Sequence, residues 1–226
     1  MAVIGRTGSG KSTLAQLLVR LYDPDEGQVL IDGKKVRTFH LDSLRKQIGY
    51  VPQDVFLFSD TISGNIVFGL ERSDVNDELI REAAMNASVL NDIEQLPKKF
   101  ETLVGERGVT LSGGQKQRIS IARALIKEPR VMIFDDCLSA VDAQTEQNIL
   151  TYLNEVLTGK TALIITHRIF SLLTFDKILV LDHGMIAEEG THDSLVNKGG
   201  LYAELYEMQQ LEERREAGAP VNSRPA

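Results

Sequence analysis

The chain has 226 residues, 42% hydrophobic and 25% charged, enough to bury a sizeable core in one large domain or two small ones and too ordinary for a collagen, coiled-coil or largely disordered protein. Its formal charge is −7, from 25 Lys+Arg against 32 Asp+Glu, and that acidic balance argues against nucleic acid as a partner, which would need a basic footprint. The single cysteine, Cys137, excludes an internal disulfide and fits a reducing compartment, no apolar stretch reaches the roughly 18 residues of a membrane span, and Met1–Ile4 lacks the charged leader of a signal peptide.

Ala2-Val3-Ile4 reads as the end of a buried parallel strand that closes at Gly5. From Lys11 the period changes. Leu14, Leu17, Leu18 and Leu21 recur at i, i+3, i+4 and i+7, which predicts an amphipathic helix ended by Pro24 and Gly27. Gln28–Asp32 and Lys34–Val36, on either side of Gly33, predict an antiparallel hairpin, and Ile48–Val51 predicts a strand stopped by Pro52. A helix is expected over Ser73–Ser88, with Leu79, Ile80, Ala83, Ala84 and Ala87 on its inner face. A second is expected over Ser112–Ile126, with Ile119, Ala122 and Ile126 inward and with Ser112 and Gln115 spaced as a capping box. Val131–Phe134, Ala162–Ile165 and Ile178–Leu181 are continuous apolar runs, the mark of strands covered on both faces. Strand and helix signals alternate, so the expected fold class is α/β with a mainly parallel sheet and a small antiparallel part. Asp182-His183-Gly184 predicts a tight turn into Met185–Ala187. The last helix is expected over Leu201–Arg215, and residues 211–226 read as a charged, disordered tail. There is no internal repeat.

Gly5-Arg6-Thr7-Gly8-Ser9-Gly10-Lys11-Ser12 matches G-x-x-x-x-G-K-S/T, the Walker A pattern, between a predicted strand and a predicted helix. Its glycines let successive backbone N–H groups face a phosphate, and the helix that follows adds its positive end. Lys11 is placed to reach the β- and γ-phosphates and the Ser12 hydroxyl to bind Mg²⁺, while Thr13 serves helix packing and phosphate contact. This loop by itself points only to a nucleoside triphosphate. Leu111-Ser112-Gly113-Gly114-Gln115 sets two glycines at a capped helix start, which leaves N–H groups open to an anion. Taken alone, that segment is equally a helix cap with a flexible turn.

In chain order, the segments "GRTGSGKST", "YVPQDVFLFSDTISGNI", "VGERG", "LSGGQ", "VMIFDD", "SAVD" and "IITHR" resemble the nucleotide-binding domain of ABC transporters, and the similarity continues through "VLDHGMIAEEGTHDSL". The segments around Gln53 and before Ser112 are similar to those of exporters in particular. The resemblance implies a RecA-like P-loop core, a small antiparallel β part and a helical subdomain over residues 54–129 that carries the signature, within an ATP-binding domain over residues 1–210. It implies ATP and Mg²⁺ as cofactors, held by Gly5, Arg6, Thr7, Gly8, Ser9, Gly10, Lys11, Ser12 and Thr13, with Ser112, Gly113, Gly114 and Gln115 as the signature. Ser12, Gln53 and Asp135 are the implied metal-site residues. Asp136, Gln53 and His167 are the implied catalytic residues, with His167 meeting the γ-phosphate and Asp142 at the dimer interface. The implied partners are a second such domain, bound head to tail around ATP, and an exporter's transmembrane domain at the cytoplasmic face of the cell membrane. Cys137 reads as a small buried hydrophobe, and His40, His183 and His192 receive no role.

Two departures stand out. The family's domain begins with further strands that carry an adenine-stacking aromatic residue, and this chain starts inside the strand before Walker A, so a truncated product or a fragment is expected. The residue after the Walker B aspartate is a glutamate in the family and is Asp136 here. Three readings stay open: a transport-coupled ATPase motor, a regulatory ATP-binding module of a heterodimeric exporter with little hydrolysis, and a soluble ABC protein of translation or DNA repair. The acidic balance and the exporter-like Gln53 segment argue against the third.

Overall fold

The computed structural model describes residues 1–70, 75–105, 110–138, 140–157, 159–169 and 173–216. In chain order the elements are β1 (Ala2–Gly5), α1 (Lys11–Leu18), β2 (Leu30–Ile31), β3 (Lys34–Lys35), α2 (Leu41–Lys46), β4 (Ile48–Val51), α3 (Ile62–Ile66), α4 (Asp77–Asn86), α5 (Leu90–Glu94), α6 (Gly113–Leu125), β5 (Val131–Asp135), α7 (Ala143–Val156), β6 (Thr161–Thr166), β7 (Ile178–Asp182), β8 (Met185–Gly190), α8 (His192–Lys198) and α9 (Leu201–Glu216). The strands pair mostly in parallel, β4 with β5 and β1 with β7, beside a two-stranded antiparallel ribbon, the expected α/β class. The chain divides into two compact units, Met1–Lys11 with Ile165–Ala226, and Ser12–Ile164.

In the larger unit β4 runs parallel to β5, from Ile48 opposite Val131 to Val51 opposite Phe134. Both strands are apolar on both faces, and Met132, Ile133 and Phe134 are buried as the continuous run requires. The β2–β3 ribbon turns at Asp32 and Gly33, both at positive φ, the left-handed pair that a two-residue hairpin needs. Between β4 and β5 the regular elements among the described residues are helices, and α6, with Ile119, Ile121 and Ala122 buried, packs on α3, α4 and β4. In the smaller unit β1 runs parallel to β7, and β7 turns back into β8 through His183 and Gly184. Ala2, Ile4, Ile169, Ile178, Val180, Leu195 and Tyr202 form its core, against which Leu205 and Tyr206 of α9 pack.

Several expectations are corrected. Helix α1 stops at Leu18, not beyond Leu21, because Arg20 turns left-handed (φ 53°) and the Leu21 N–H reaches back to Gln16 O at 2.8 Å, leaving Leu21 exposed. Leu79 lies in the first turn of α4 and faces solvent, whereas Ile80, Ala83 and Ala84 are buried as expected; the Asn76 side chain, accepting from Leu79 N at 2.9 Å, starts the helix later than Ser73. Thr13 is exposed, not buried in the helix's packed face. Leu211–Glu216 continue α9 and are not part of a tail. Helices α2, α7 and α8 were not expected, and α3 and α5 lie in residues 54–129, where only a helical subdomain as a whole is expected; in α7 Asp142 caps the helix and Ile149, Leu150 and Leu153 bury its inner face. Ser73, Glu106–Gly108 of "VGERG", Ser139 of "SAVD" and the tail beyond Glu216 lie outside the described residues.

Candidate functional site

Within the smaller unit, the loop after β1 is shaped by glycine for two distinct reasons. At Gly5 a Cβ would stand 2.3 Å from the Leu181 carbonyl oxygen, so the strand end admits no side chain. Gly8 and Gly10 take φ of 81° and 96°, which L-residues rarely adopt, and these values curl the loop. The curl is fastened by Ser9 N–H donating to Arg6 O at 3.2 Å, and Gly184 N–H donates to Ser9 O at 3.2 Å from the β7–β8 turn. Lys11 Nζ donates to the carbonyls of Gly5 (2.8 Å) and Arg6 (2.9 Å), which holds its positive charge along the loop. Arg6 and Thr7 are exposed at the loop's outer side. His167 is exposed just after β6, and the Thr166 hydroxyl beside it accepts the Arg168 N–H at 2.9 Å.

Within the larger unit, Ser12 Oγ donates to Asp135 Oδ1 at 2.9 Å across 123 positions of sequence. Asp135 ends β5 and is 2% exposed, so a carboxylate is held at a strand's end next to a hydroxyl at a helix start. Tyr50 was not anticipated. It lies on β4 opposite Ile133, and its hydroxyl donates to Asp135 Oδ2 at 3.4 Å. Burial, then the Asp135 charge and hydrogen bond, pushes the Tyr50 phenol up to about 12, so it stays protonated as a donor to that carboxylate. The only sequence signal for Tyr50 is a polar atom inside the short strand before Pro52.

Gln53 Nε2 approaches Asp136 Oδ2 at 3.5 Å, the outer limit of a hydrogen bond. Asp136 has φ 48°, a left-handed conformation that Asp tolerates better than most residues. Among the described residues no three His, Cys, Asp or Glu side chains converge. A divalent ion beside Asp135 would therefore rest on one carboxylate and the Ser12 hydroxyl, a sparse set of hard oxygens that suits Mg²⁺ completed by phosphate and water. Burial pushes the Cys137 thiol up, which keeps it a small neutral filler.

The Ser112–Gln115 segment is in the larger unit as well. Ser112 Oγ accepts Gln115 N–H at 3.2 Å, and Gln115 Oε1 accepts Ser112 N–H at 3.0 Å, the expected capping box. Two features were not legible beforehand. Gln115 Nε2 also donates to Asp92 Oδ1 at 2.9 Å, and Arg118 grips the same carboxylate at 2.8 Å, so α5 braces the signature. The buried Gln117 accepts the Ala140 N–H at 3.2 Å, which holds the segment before α7 against α6. Asp142 caps α7 by accepting from Thr145 N–H (3.0 Å) and from the Thr145 hydroxyl (2.7 Å), and these two donors hold its carboxyl below the usual range.

Among known families, the ABC transporter profile matches residues 1–139. The chain is 47% identical over 209 residues to an ATP-dependent lipid A-core flippase of Hahella chejuensis, covering 92% of this chain and 36% of that protein. It is 48% identical over 219 residues to a probable multidrug resistance ABC transporter ATP-binding/permease protein of Bacillus subtilis, covering 97% of this chain and 37% of that one. A solved structure described as a bacterial Atm1-family ABC exporter with ATP bound superposes with a TM-score of 0.87 at 45% identity, over 92% of this chain and 36% of that one. The chain thus spans little more than a third of the length of these relatives. No helix among its described residues is long and apolar enough to cross a membrane.

Proposed function

On the premise that the chain belongs to the ABC transporter family, as an ABC-type ATPase of the exporter group, we propose that it pairs head to tail with a second such domain around ATP and drives transport at the cytoplasmic face of a cell membrane. In this reading residues 1–210 act as one ATP-binding domain, the helices over 54–129 present the signature to the partner, and a transmembrane domain receives the motion. The observation that carries it is the Ser12 Oγ–Asp135 Oδ1 hydrogen bond of 2.9 Å, because it joins the Walker A hydroxyl to the buried Walker B carboxylate.

The roles follow from each group's chemistry. Gly5, Arg6, Thr7, Gly8, Ser9 and Gly10 bind phosphate oxygens through the curled backbone, and Thr13 adds a hydroxyl at the helix start. The Lys11 ammonium, poised along the loop, turns from the Gly5 and Arg6 carbonyls onto the β- and γ-phosphates. Ser12 and Asp135 would hold Mg²⁺, with Gln53 beside them, and the ion would supply positive charge against the phosphates. Asp136 orients the attacking water and accepts its proton on a carboxylate oxygen, and His167 donates a hydrogen bond to the γ-phosphate. Ser112, Gly113, Gly114 and Gln115 present their helix N-terminus to the nucleotide held by the partner.

Asp136 favours a second reading, an ATP-binding site that hydrolyses slowly and regulates a partner's faster one. An aspartate is one methylene shorter than glutamate, and a shortfall of about 1 Å costs on the order of 100-fold in rate. The experiment that tests both readings measures ATP affinity and phosphate release for Lys11→Ala, Asp136→Glu and Asp136→Asn. Lys11→Ala should lose most affinity or turnover; wild-type values for both would sink the phosphate-loop assignment. Asp136→Glu should raise turnover, with some cost in stability at the left-handed φ, while Asp136→Asn should change it little. A fast wild-type rate abolished by Asp136→Asn would make Asp136 a competent base and end the slow-site reading.

A further inference from the structure

The short link after β6 is fastened at both ends, and one fastener comes from the far end of the chain. Ile169 N–H donates to Gln209 Oε1 at 2.7 Å, and Gln209 Nε2 donates to Ile169 O at 3.0 Å. One amide of α9 thus takes both backbone groups of a residue 40 positions earlier, as a neighbouring strand would. Gln209 Nε2 also donates to Glu213 Oε1 at 2.8 Å, one turn further along α9. A carboxylate only accepts, so this bond fixes which end of the Gln209 amide is nitrogen. Glu213 is held in turn by Gln210 Nε2 at 3.2 Å. On the other side of the link, the Thr166 hydroxyl, 3% exposed as a residue, accepts the Arg168 N–H at 2.9 Å. The Ile169 side chain is sunk in the core with Ile4, Ile178 and Tyr202. His167 stands exposed between these two anchors, one residue beyond Thr166 and two before Ile169.

We propose that Gln209 is a positioning residue for His167, and that α9 thereby sets the rate of the chemical step. This rests on the γ-phosphate role proposed above for His167. The two hydrogen bonds between Gln209 and Ile169 go to backbone and the third goes to Glu213 of the same helix, so Gln209 adds no group to the nucleotide. It fixes the exit of the three-residue path on which the imidazole is carried. Loosening that exit lets the imidazole wander by the order of 1 Å, enough to cost about 10- to 100-fold in rate while ground-state binding through the phosphate loop is kept. Movement of α9, at a helix whose last turn is rich in Glu and Arg, is then felt at His167 without any change in the phosphate loop.

The test uses the full chain with radiolabelled ATP under enzyme excess, so that one slow turnover is enough to read, together with ATP affinity. Gln209→Leu keeps the size of the side chain and removes both hydrogen bonds. Gln209→Glu keeps the acceptor for Ile169 N–H and removes the donor. Turnover should fall about tenfold or more in Gln209→Leu and at least as far in Gln209→Glu, whose carboxylate would face the Ile169 carbonyl and the Glu213 carboxylate, with ATP affinity within about twofold of wild type in both. In a His167→Ala background, Gln209→Leu should cause no further fall, since the group it positions is gone. Wild-type turnover in Gln209→Leu overturns the inference, and so does an equal fall with and without His167, which would mark Gln209 as merely structural. If His167→Ala by itself leaves turnover unchanged, the role given to His167 fails first; if only the Gln209 variants are silent, the inference fails alone.

Discussion

Helix α1 begins directly after Gly8 and Gly10, and helix α6 begins on Gly113 and Gly114, yet the glycines answer different constraints. Gly8 and Gly10 sit at φ of 81° and 96° with nothing within 4 Å of Gly8's absent Cβ and only Gly184 Cα at 3.8 Å from that of Gly10. There the backbone conformation excludes a side chain, and space does not. Gly114 has ordinary helical φ, but a Cβ on it would lie 2.8 Å from Ala140 O. There space excludes the side chain, and conformation does not. The helix starts differ in step: α6 is fastened by the Ser112–Gln115 box, whereas α1 follows a curl stabilised by the Lys11 side chain and the Ser9–Arg6 turn. A Gly-rich helix start is therefore not one device. The first bends the chain into a curl, and the second lets another segment approach.

Substitutions that separate conformation from space test this contrast. The largest effect is expected at Gly10. An alanine there carries strain of roughly 1–2 kcal/mol in the left-handed region and opens the curl, so both melting temperature and ATP affinity should fall, affinity by about tenfold or more. Unchanged ATP affinity in Gly10→Ala would show that the loop's curl is not what holds phosphate. Gly114→Ala comes next and should behave differently. Alanine favours a helix by about 1 kcal/mol over glycine, which offsets part of the clash, so melting should move little. The segment before α7 must shift from Ala140 O, and turnover of the paired domain should fall several-fold. A large drop in melting temperature with normal turnover would reverse the assignment. The smallest effect belongs to Ser112→Ala, which removes one half of the capping box and should destabilise α6 by about 1 kcal/mol, read by chemical denaturation. A loss near zero would mean that Asp92 and Arg118 hold the helix start without the cap.

Much of this was legible from local sequence. The phosphate loop shows its glycine spacing because glycine alone adopts the φ of Gly8 and Gly10 without strain. The capping box at Ser112 and Gln115 closes over three residues, and the runs Val131–Phe134 and Ile178–Leu181 are apolar because strands covered on both faces must be. Helix α7 is legible too, from the Asp142 cap and the spacing of Ile149, Leu150 and Leu153.

The sequence by itself determined the local chemistry: which loop can curl around phosphate, which helices can start and which strands must be covered. Only the tertiary structure decided the pairings: Ser12 with Asp135, Tyr50 with the same carboxylate, Asp92 with Gln115, Gln117 with Ala140 N–H and Gln209 with Ile169. The reason is physical. A cap or a turn is set by residues a few positions apart, whose geometry the backbone already restricts. A hydrogen bond across 23 to 123 positions depends on which loops the packed core brings within about 3 Å, and no periodicity in the chain encodes that distance.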